Sequence, residues 1–231
     1  MLVMPANSSG WFWHSLARET GRIGHLYSPG AQRGPWPWFP YACDNGVFSM
    51  WNPEDNSFDE ERWINHGEAS WRHLLFWCGA AAIKPMWAIV PDRPGDWNIT
   101  QQKWYRYKQE VIDAGIPLAL AVQDGATVDD VKTLRPDVVA IGGSTEWKWK
   151  TAEQWLKAFP RVHVLRCNSP EKLHWLEDLG CESCDGTGWN RGNRAQTQGV
   201  ELWARKNPTP TDSLLWPHTS RAQCHNQLSF A

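Results

Sequence analysis

Short apolar runs alternate with polar loops and capped helical stretches along most of the chain. The first run is Leu2–Pro5. A Gly/Pro-rich stretch, Ser28–Pro40, leads into a second run, Trp38–Cys43, and then the loop Asp44–Asn56. Ser57 with Glu60 three positions on forms a capping box, which predicts a helix to about Cys78, interrupted near Gly67. Met86–Val90, flanked by Pro85 and Pro91, reads as a strand. After the loop Pro91–Ile99, a helix is expected from a Thr100 cap to Ala114, with Gly115 at C′.

The second half is more regular. Ile116–Val122 is a buried strand, followed by Gln123-Asp124-Gly125. Thr127 and Asp130 mark the start of a helix over Val128–Leu134. Val138–Ile141 is a strand that leads into Gly142-Gly143-Ser144-Thr145. Thr151 and Gln154 form another capping box, for a helix to about Phe159. Val162–Leu165 is a strand. Ser169-Pro170 supplies an N-cap with Pro at N1, opening a helix to Leu179 with Gly180 beyond it. Cys181–Asp185 is a short strand that ends in Asp185-Gly186-Thr187-Gly188.

About seven strand–loop–helix units with continuously apolar strands imply parallel β-structure with crossover helices. No G-x-G-x-x-G follows the first run, which counts against an open dinucleotide-binding sheet. The expected fold is α/β, a TIM (β/α)8-type barrel, compact or slightly incomplete for 231 residues. Residues 1–206 are assigned to the barrel. Residues 207–231, rich in Pro, Ser, Thr and Gln, are assigned to a C-terminal arm or tail.

Composition narrows the function. A net charge of −2 excludes a strongly basic nucleic-acid binder and an acidic tail protein, though not a local patch. Residues 186–231 carry a local +3, from five basic residues against Glu201 and Asp212, and residues 51–80 a local −4. A basic face with Trp189 and Trp203 could follow a nucleic-acid backbone. No run of 18 apolar residues and no signal peptide are readable, so a cytoplasmic protein with no membrane partner is expected. Tryptophan is the outlier, at 18 residues. Spread along the chain, most of them suit core packing, although a stacking surface for sugars or bases is the alternative use. Among six cysteines only Cys181 and Cys184 form a C-x-x-C, with no companion pair, so no metal and no cofactor are expected.

In a parallel barrel, reactive residues follow the C-terminal ends of the strands. Reading those positions gives Asp44 with Asn45-Gly46-Val47-Phe48, then Asp92 and Asp96, Gln123-Asp124, Gly142-Gly143, and Asp185-Gly186-Thr187-Gly188. Two carboxylates across a pocket are what glycosidic-bond chemistry needs. Gln and Gly-Gly amides suit a carbonyl-bearing ring.

These segments, with Met86–Asp92, Ile141–Trp147 and Asn168–Pro170, resemble the tRNA-guanine transglycosylase superfamily in order and spacing over about residues 1–195. The resemblance is closest to its short phage-type members that place 7-deazaguanines in DNA (the DpdA-like group). It implies a base exchange through a covalent aspartyl-glycosyl intermediate, with Asp185 as nucleophile and Asp44 as general acid/base. It further implies Phe48 stacking on the base, Asp92 reading its N1/N2 edge, Gln123 and the Gly143 N–H (within Gly142-Gly143) donating to O6, and Arg191 and Arg194 near the ribose–phosphate backbone.

The tRNA enzymes carry a zinc subdomain with a C-x-C-x-x-C…H cluster. Here only His218, Cys224 and His225 follow Asp185, without the spacing of that cluster. The barrel is therefore expected without that subdomain. DNA is the implied polymer, with a 7-deazaguanine such as 7-cyano-7-deazaguanine (preQ0) as incoming base, and host cytoplasm as the location if the chain is phage-encoded. A carbohydrate glycoside hydrolase, a transglycosylase acting on tRNA, and a non-enzymatic nucleic-acid-binding subunit are the competing readings. A homodimer or a partner protein stays open.

Overall fold

The computed structural model describes residues 1–6, 10–30, 40–47, 52, 59–65, 67, 70–189 and 194–208. Eight strands alternate with helices: β1 (Leu2–Pro5), α1 (Trp11–Thr20), β2 (His25–Tyr27), β3 (Tyr41–Cys43), α2 (Glu60–Asn65), α3 (Trp71–Ala80), β4 (Ala88–Ile89), α4 (Trp97–Asp113), β5 (Leu118–Val122), α5 (Val128–Leu134), β6 (Val138–Ile141), α6 (Thr145–Ala158), β7 (Val162–Val164), α7 (Lys172–Asp178), β8 (Ser183–Gly186) and α8 (Arg194–Lys206). All ladders are parallel, in the order β1-β8-β7-β6-β5-β4-β3-β2. The two end strands meet through parallel bridges, Val3–Ile23 and Ala6–Leu26. The result is a nearly closed (β/α)8 barrel, the expected TIM-type fold.

The strands read as unbroken apolar runs because both faces are buried. Ala119, Ala121, Val138 and Ala140 face the lumen with Met4, Leu26, Ala42, Trp87 and Ile89. Their alternates Leu120, Val122, Val139 and Ile141 pack outward against the helices. The small lumen residues leave room for the fully buried Trp87 indole, 4.6 Å from the His163 ring. Six further tryptophans, Trp63, Trp71, Trp104, Trp155, Trp189 and Trp203, are fully buried, so tryptophan is mainly core material. Trp189 and Trp203 are therefore not a surface for a nucleic-acid backbone.

Several element boundaries differ from the sequence reading. Strand β2 and helices α1 and α8 are additional. Three residues of β2 beside a Gly/Pro-rich stretch carry no period, and α1 follows an N-cap at Gly10, which has no side chain to cap it. Helix α4 is capped by Asp96, which accepts the Ile99 N–H at 2.9 Å. The Thr100 hydroxyl instead donates inside the first turn, to Asp96 O at 2.7 Å. Helix α6 starts seven residues before the Thr151 box, at a Ser144 cap, and Thr151 Oγ1 donates to Trp147 O within the helix. Helix α7 opens at Lys172, two positions past Pro170, with no side-chain cap. The break near Gly67 is present, between α2 and α3. Ser57 and residues 209–231 of the assigned tail lie outside the described residues.

Arg22 secures the seam between β1 and β2. Its carbonyl accepts the Val3 N–H at 2.9 Å, within the strand closure. Its guanidinium, only 1% exposed, pairs with Glu177 of α7, lies 3.6 Å from the Trp203 ring centre of α8, and donates to Asn207 O at 3.0 Å. Trp203 Nε1 donates to the other Glu177 oxygen at 3.2 Å. Removing one member of such a buried pair strands its partner. Arg22→Met should therefore lower unfolding free energy by about 3 kcal/mol, and Arg22→Met with Glu177→Gln by clearly less. Denaturant unfolding of both variants measures this. Equal losses would show that the ion pair does not hold the seam.

Candidate active site

The two-residue period of each strand places the polar groups at one end of the barrel. Beyond the inward Ala42 comes Asp44, beyond Ala121 comes Gln123, and beyond Ala140 comes Gly142. On β8, Cys184 packs outward, while Ser183 and Asp185 lie on the His163 side of the strand. Asp44, Asn45, Asp92, Gln123, Gly142, Arg166 and Asp185 line one cavity of about 70 Å3. Among the described residues no tryptophan lines it. Phe48 and Arg191 lie outside the described residues. Arg194 is exposed at the start of α8 and does not line the cavity.

A belt of hydrogen bonds runs strand to strand around this rim. Asn45, after β3, donates Nδ2–H to Asp92 Oδ1 at 2.7 Å. Gln123, after β5, donates Nε2–H to Asp92 Oδ2 at 2.6 Å. Gln123 Oε1 accepts from Gly143 N at 2.8 Å and Gly95 N at 3.0 Å. Two backbone donors aimed at one atom fix the amide orientation. Arg166, after β7, donates Nη2–H to Gly143 O at 2.9 Å, and its backbone N–H to Asp185 Oδ1 at 2.8 Å. At the other side Ser28, after β2, donates to Asp44 Oδ2 at 3.1 Å.

The Gly143 N–H is thus engaged by Gln123, rather than presented to the cavity as the sequence suggested. Both glycines are required by space. A Cβ on Gly142 would stand 2.8 Å from Gln123 Nε2. Gly143 has φ +71°, and a Cβ there would meet Asp124 Oδ2 at 2.5 Å and the Trp147 ring at 2.7 Å.

Asp185 is held from three sides. Besides Arg166 N, His163 Nε2 lies 3.2 Å from Oδ1, and His163 Nδ1 lies 2.8 Å from Ser183 Oγ. Asp185 accepts, so the network assigns the imidazole proton to Nε2 and makes Ser183 the donor to Nδ1. Cys167 N donates to Asp185 O at 2.7 Å. No hydrogen bond from the described residues reaches Oδ2. The loop that does this holding is strained, since Arg166 (φ 51°) and Asn168 (φ 47°) are both left-handed without being glycine. Lys148 props it from below, Nζ donating to Leu165 O at 2.7 Å and Arg166 O at 3.1 Å, and Asn168 Oδ1 accepts the Gly188 N–H at 2.9 Å.

His163, Arg166 and Lys148 are absent from the sequence reading. The signal for Arg166 was present, because it directly follows the run Val162–Leu165, a strand whose C-terminal end is not among the positions read above. His163 sits inside an apolar strand and carries no motif.

Burial and crowding separate the carboxyls. Burial, then the nearby Asp185 and Asp92, raise Asp44 to about 7 against the Ser28 hydrogen bond. Asp92 is raised to about 6 by burial, opposed by the bonds from Asn45 and Gln123 and by the charges of Lys103 and Arg166. Burial, then Arg166, pull Lys148 down to about 8. Asp44 is therefore part-protonated at neutral pH, the state a proton donor needs. Among the described residues, no cluster of three or more His, Cys, Asp and Glu is placed to hold a metal ion. Cys181 and Cys184 are buried in the core, while Cys224 and His225 lie outside the described residues. No helix among the described residues is long and apolar enough to cross a membrane.

A carboxyl raised by folding binds its proton more tightly in the native state, so stability falls as pH climbs from the unfolded to the folded value. For Asp44 the fall spans pH 3.8 to about 7 and amounts to at most about 4 kcal/mol. Asp44→Asn should remove much of it, leaving the variant more stable than wild type at pH 8 and no more stable at pH 4. Buried His25, pushed down to about 4, gives the opposite slope over much of the same range. The measurement is therefore the difference between variant and wild-type denaturation profiles. Parallel profiles would contradict the raised Asp44.

No protein-family model matches the chain, and no curated protein aligns with it.

Proposed function

We propose that the protein is a transglycosylase that exchanges guanine in DNA for a 7-deazaguanine. The observation that carries this reading is the order of groups around the rim. Asp92 offers acceptors, Gln123 an amide donor, Arg166 further donors, and Asp185 a carboxylate oxygen that no described residue bonds. Around guanine the matching groups follow in the same sequence: the N2 and N1 hydrogens, O6, the position-7 corner, and N9 with its ribose carbon.

In the proposed reaction Asp185 Oδ2 attacks C1′. The C1′–N9 bond breaks with its electron pair on guanine, which takes a proton from Asp44. The deoxyribose is then joined through C1′ to Asp185 as an ester. The incoming base gives a proton to the Asp44 carboxylate, its N9 attacks C1′, and Asp185 is released. Hydrogen bonds to O6 and N7 stabilise the charge that develops on the leaving purine. His163 acts as a positioning residue, holding Oδ1 so that Oδ2 faces the cavity. The target base must leave any duplex first, so single-stranded DNA is the better substrate.

Labelled-guanine exchange into single-stranded DNA, duplex DNA and tRNA tests the reading. Wild-type protein should label single-stranded DNA most. Asp185→Asn should keep its fold by circular dichroism and lose at least about a thousand-fold in exchange, as removal of a covalent nucleophile does. Near-normal exchange by that variant, or sugar release from oligosaccharides in place of base exchange, would overturn it.

A further inference from the structure

We infer that the outer face of α1 and α8, with Trp11 at its head, takes the single strand flanking the reacting nucleotide. One flanking base stacks on the Trp11 indole, and the phosphates beside it meet Arg18 and Arg194. The inference rests on the proposed base exchange for the polymer and for the position of the reacting nucleotide.

Tryptophan in this chain is core material, and seven of its indoles are fully buried. Trp11 breaks that pattern at 80% exposed, and Phe12 beside it is exposed as well. Both open α1, directly after the Gly10 cap. Each helix of a parallel barrel starts at the end where the strands finish, so Trp11 stands at the catalytic rim. The other exposed Trp, Tyr and Phe side chains among the described residues, Phe76, Trp77 and Tyr105, lie beyond the first turns of α3 and α4. Strand register puts Trp11 beside the nucleophile. Met4 of β1 pairs with Asp185, and Pro5 with Gly186. Trp11 follows Pro5 by six residues, a reach of at most about 20 Å.

Helix α8 runs alongside α1. Arg205, near the end of α8, pairs with Glu19, near the end of α1, and also with Glu201. Both acidic residues of the two helices are taken by that one arginine. Arg18, Arg194 and Lys206 form no ion pair with a described residue. Four basic side chains against two acidic ones make this face cationic in a chain whose net charge is −2. Arg18 is exposed and stands seven positions after Trp11, two turns along the same face of α1.

An indole offers an apolar face on which any base stacks, and arginines near it neutralise phosphates. A duplex has its bases already stacked and gains nothing from Trp11. The unpaired cations speak against a protein partner, because the centres of protein interfaces are depleted of charge. The basic C-terminal segment thus has its aromatic companion in Trp11, since the rings of Trp189 and Trp203 are buried.

The test is binding, at low salt, of a short labelled single-stranded DNA, its duplex, and the same strand with abasic sites on both sides of the target guanine. Trp11→Ala should weaken the intact single strand at least about five-fold, and Trp11→Phe less than about two-fold. The substitutions lie on the surface and should leave the fold intact. The abasic strand and the duplex should each bind wild type and Trp11→Ala alike. Arg18→Gln should lower the slope of log affinity against log salt by about 0.7. In the exchange assay Trp11→Ala should raise KM for the strand more than it lowers kcat. Unchanged single-strand affinity in Trp11→Ala would overturn the inference. So would an equal loss on intact and abasic strands, which marks a structural role. A wild-type chain that binds no single strand, or a dimer closed over Trp11, overturns it too. Trp11-dependent binding without base exchange upholds the surface and fails the transglycosylase reading. Exchange with Trp11-independent binding fails the surface alone.

Discussion

The site depends on the hydrogen-bonded belt that joins the C-terminal ends of β3 to β8. Asn45, Asp92, Gln123, Gly143, Arg166 and Asp185 each hand a bond to the next, so no rim residue is oriented on its own. These groups are buried or half-buried, where an unpaired donor or acceptor is costly. That cost makes the network nearly all-or-none. It also explains the strained backbone at Arg166 and Asn168, which is held in place by Lys148, Asp185 and Gly188 around it.

The second constraint is charge. Three carboxyls share one end of the barrel, and burial pushes two of them, Asp44 and Asp92, toward neutrality. They are told apart by their partners. Asp92 receives two amide N–H bonds and the fields of Lys103 and Arg166. Asp44 receives the Ser28 hydroxyl and the Gly46 N–H but faces the two other carboxyls, and is raised to about 7. Carboxyls pushed apart in this way can serve as acid and base in one pocket. The arrangement weakens the fold locally. The Trp-filled shell and the Arg22–Glu177–Trp203 lock at the barrel seam, built from different residues, offset that weakness.

The architecture was legible where strands were long enough to show a pattern. The apolar runs that became β5 and β6, each followed by a polar residue of inward parity, gave away Gln123 and Gly142. Asp44 was legible because the sequence run before it, Trp38–Cys43, is longer than the three residues that pair as β3, and Asp185 because it ends the run Cys181–Asp185. The three-residue strand β2 was not, because its apolar content is too short to have a period. The Thr151 cap misled because Thr donates back into a helix as readily as it starts one. His163 and Lys148 were hidden in otherwise apolar or amphipathic segments, their roles set by neighbours about twenty residues away in the chain. In the sequence Trp203 stands among basic residues, which leaves a surface role open. Its burial follows from a cation on Arg22, far from it in sequence.

The central claim is that Asp185 bonds the deoxyribose while Asp44 moves the proton. It is met most directly by quenching the protein with a guanine-containing single strand in acid and locating the adduct by peptide mass spectrometry. The expected result is one abasic strand linked as an ester to the peptide containing Asp185, with more adduct when free base is removed. An adduct on Asp44 or Asp92, or turnover with no adduct at any carboxylate, would contradict it.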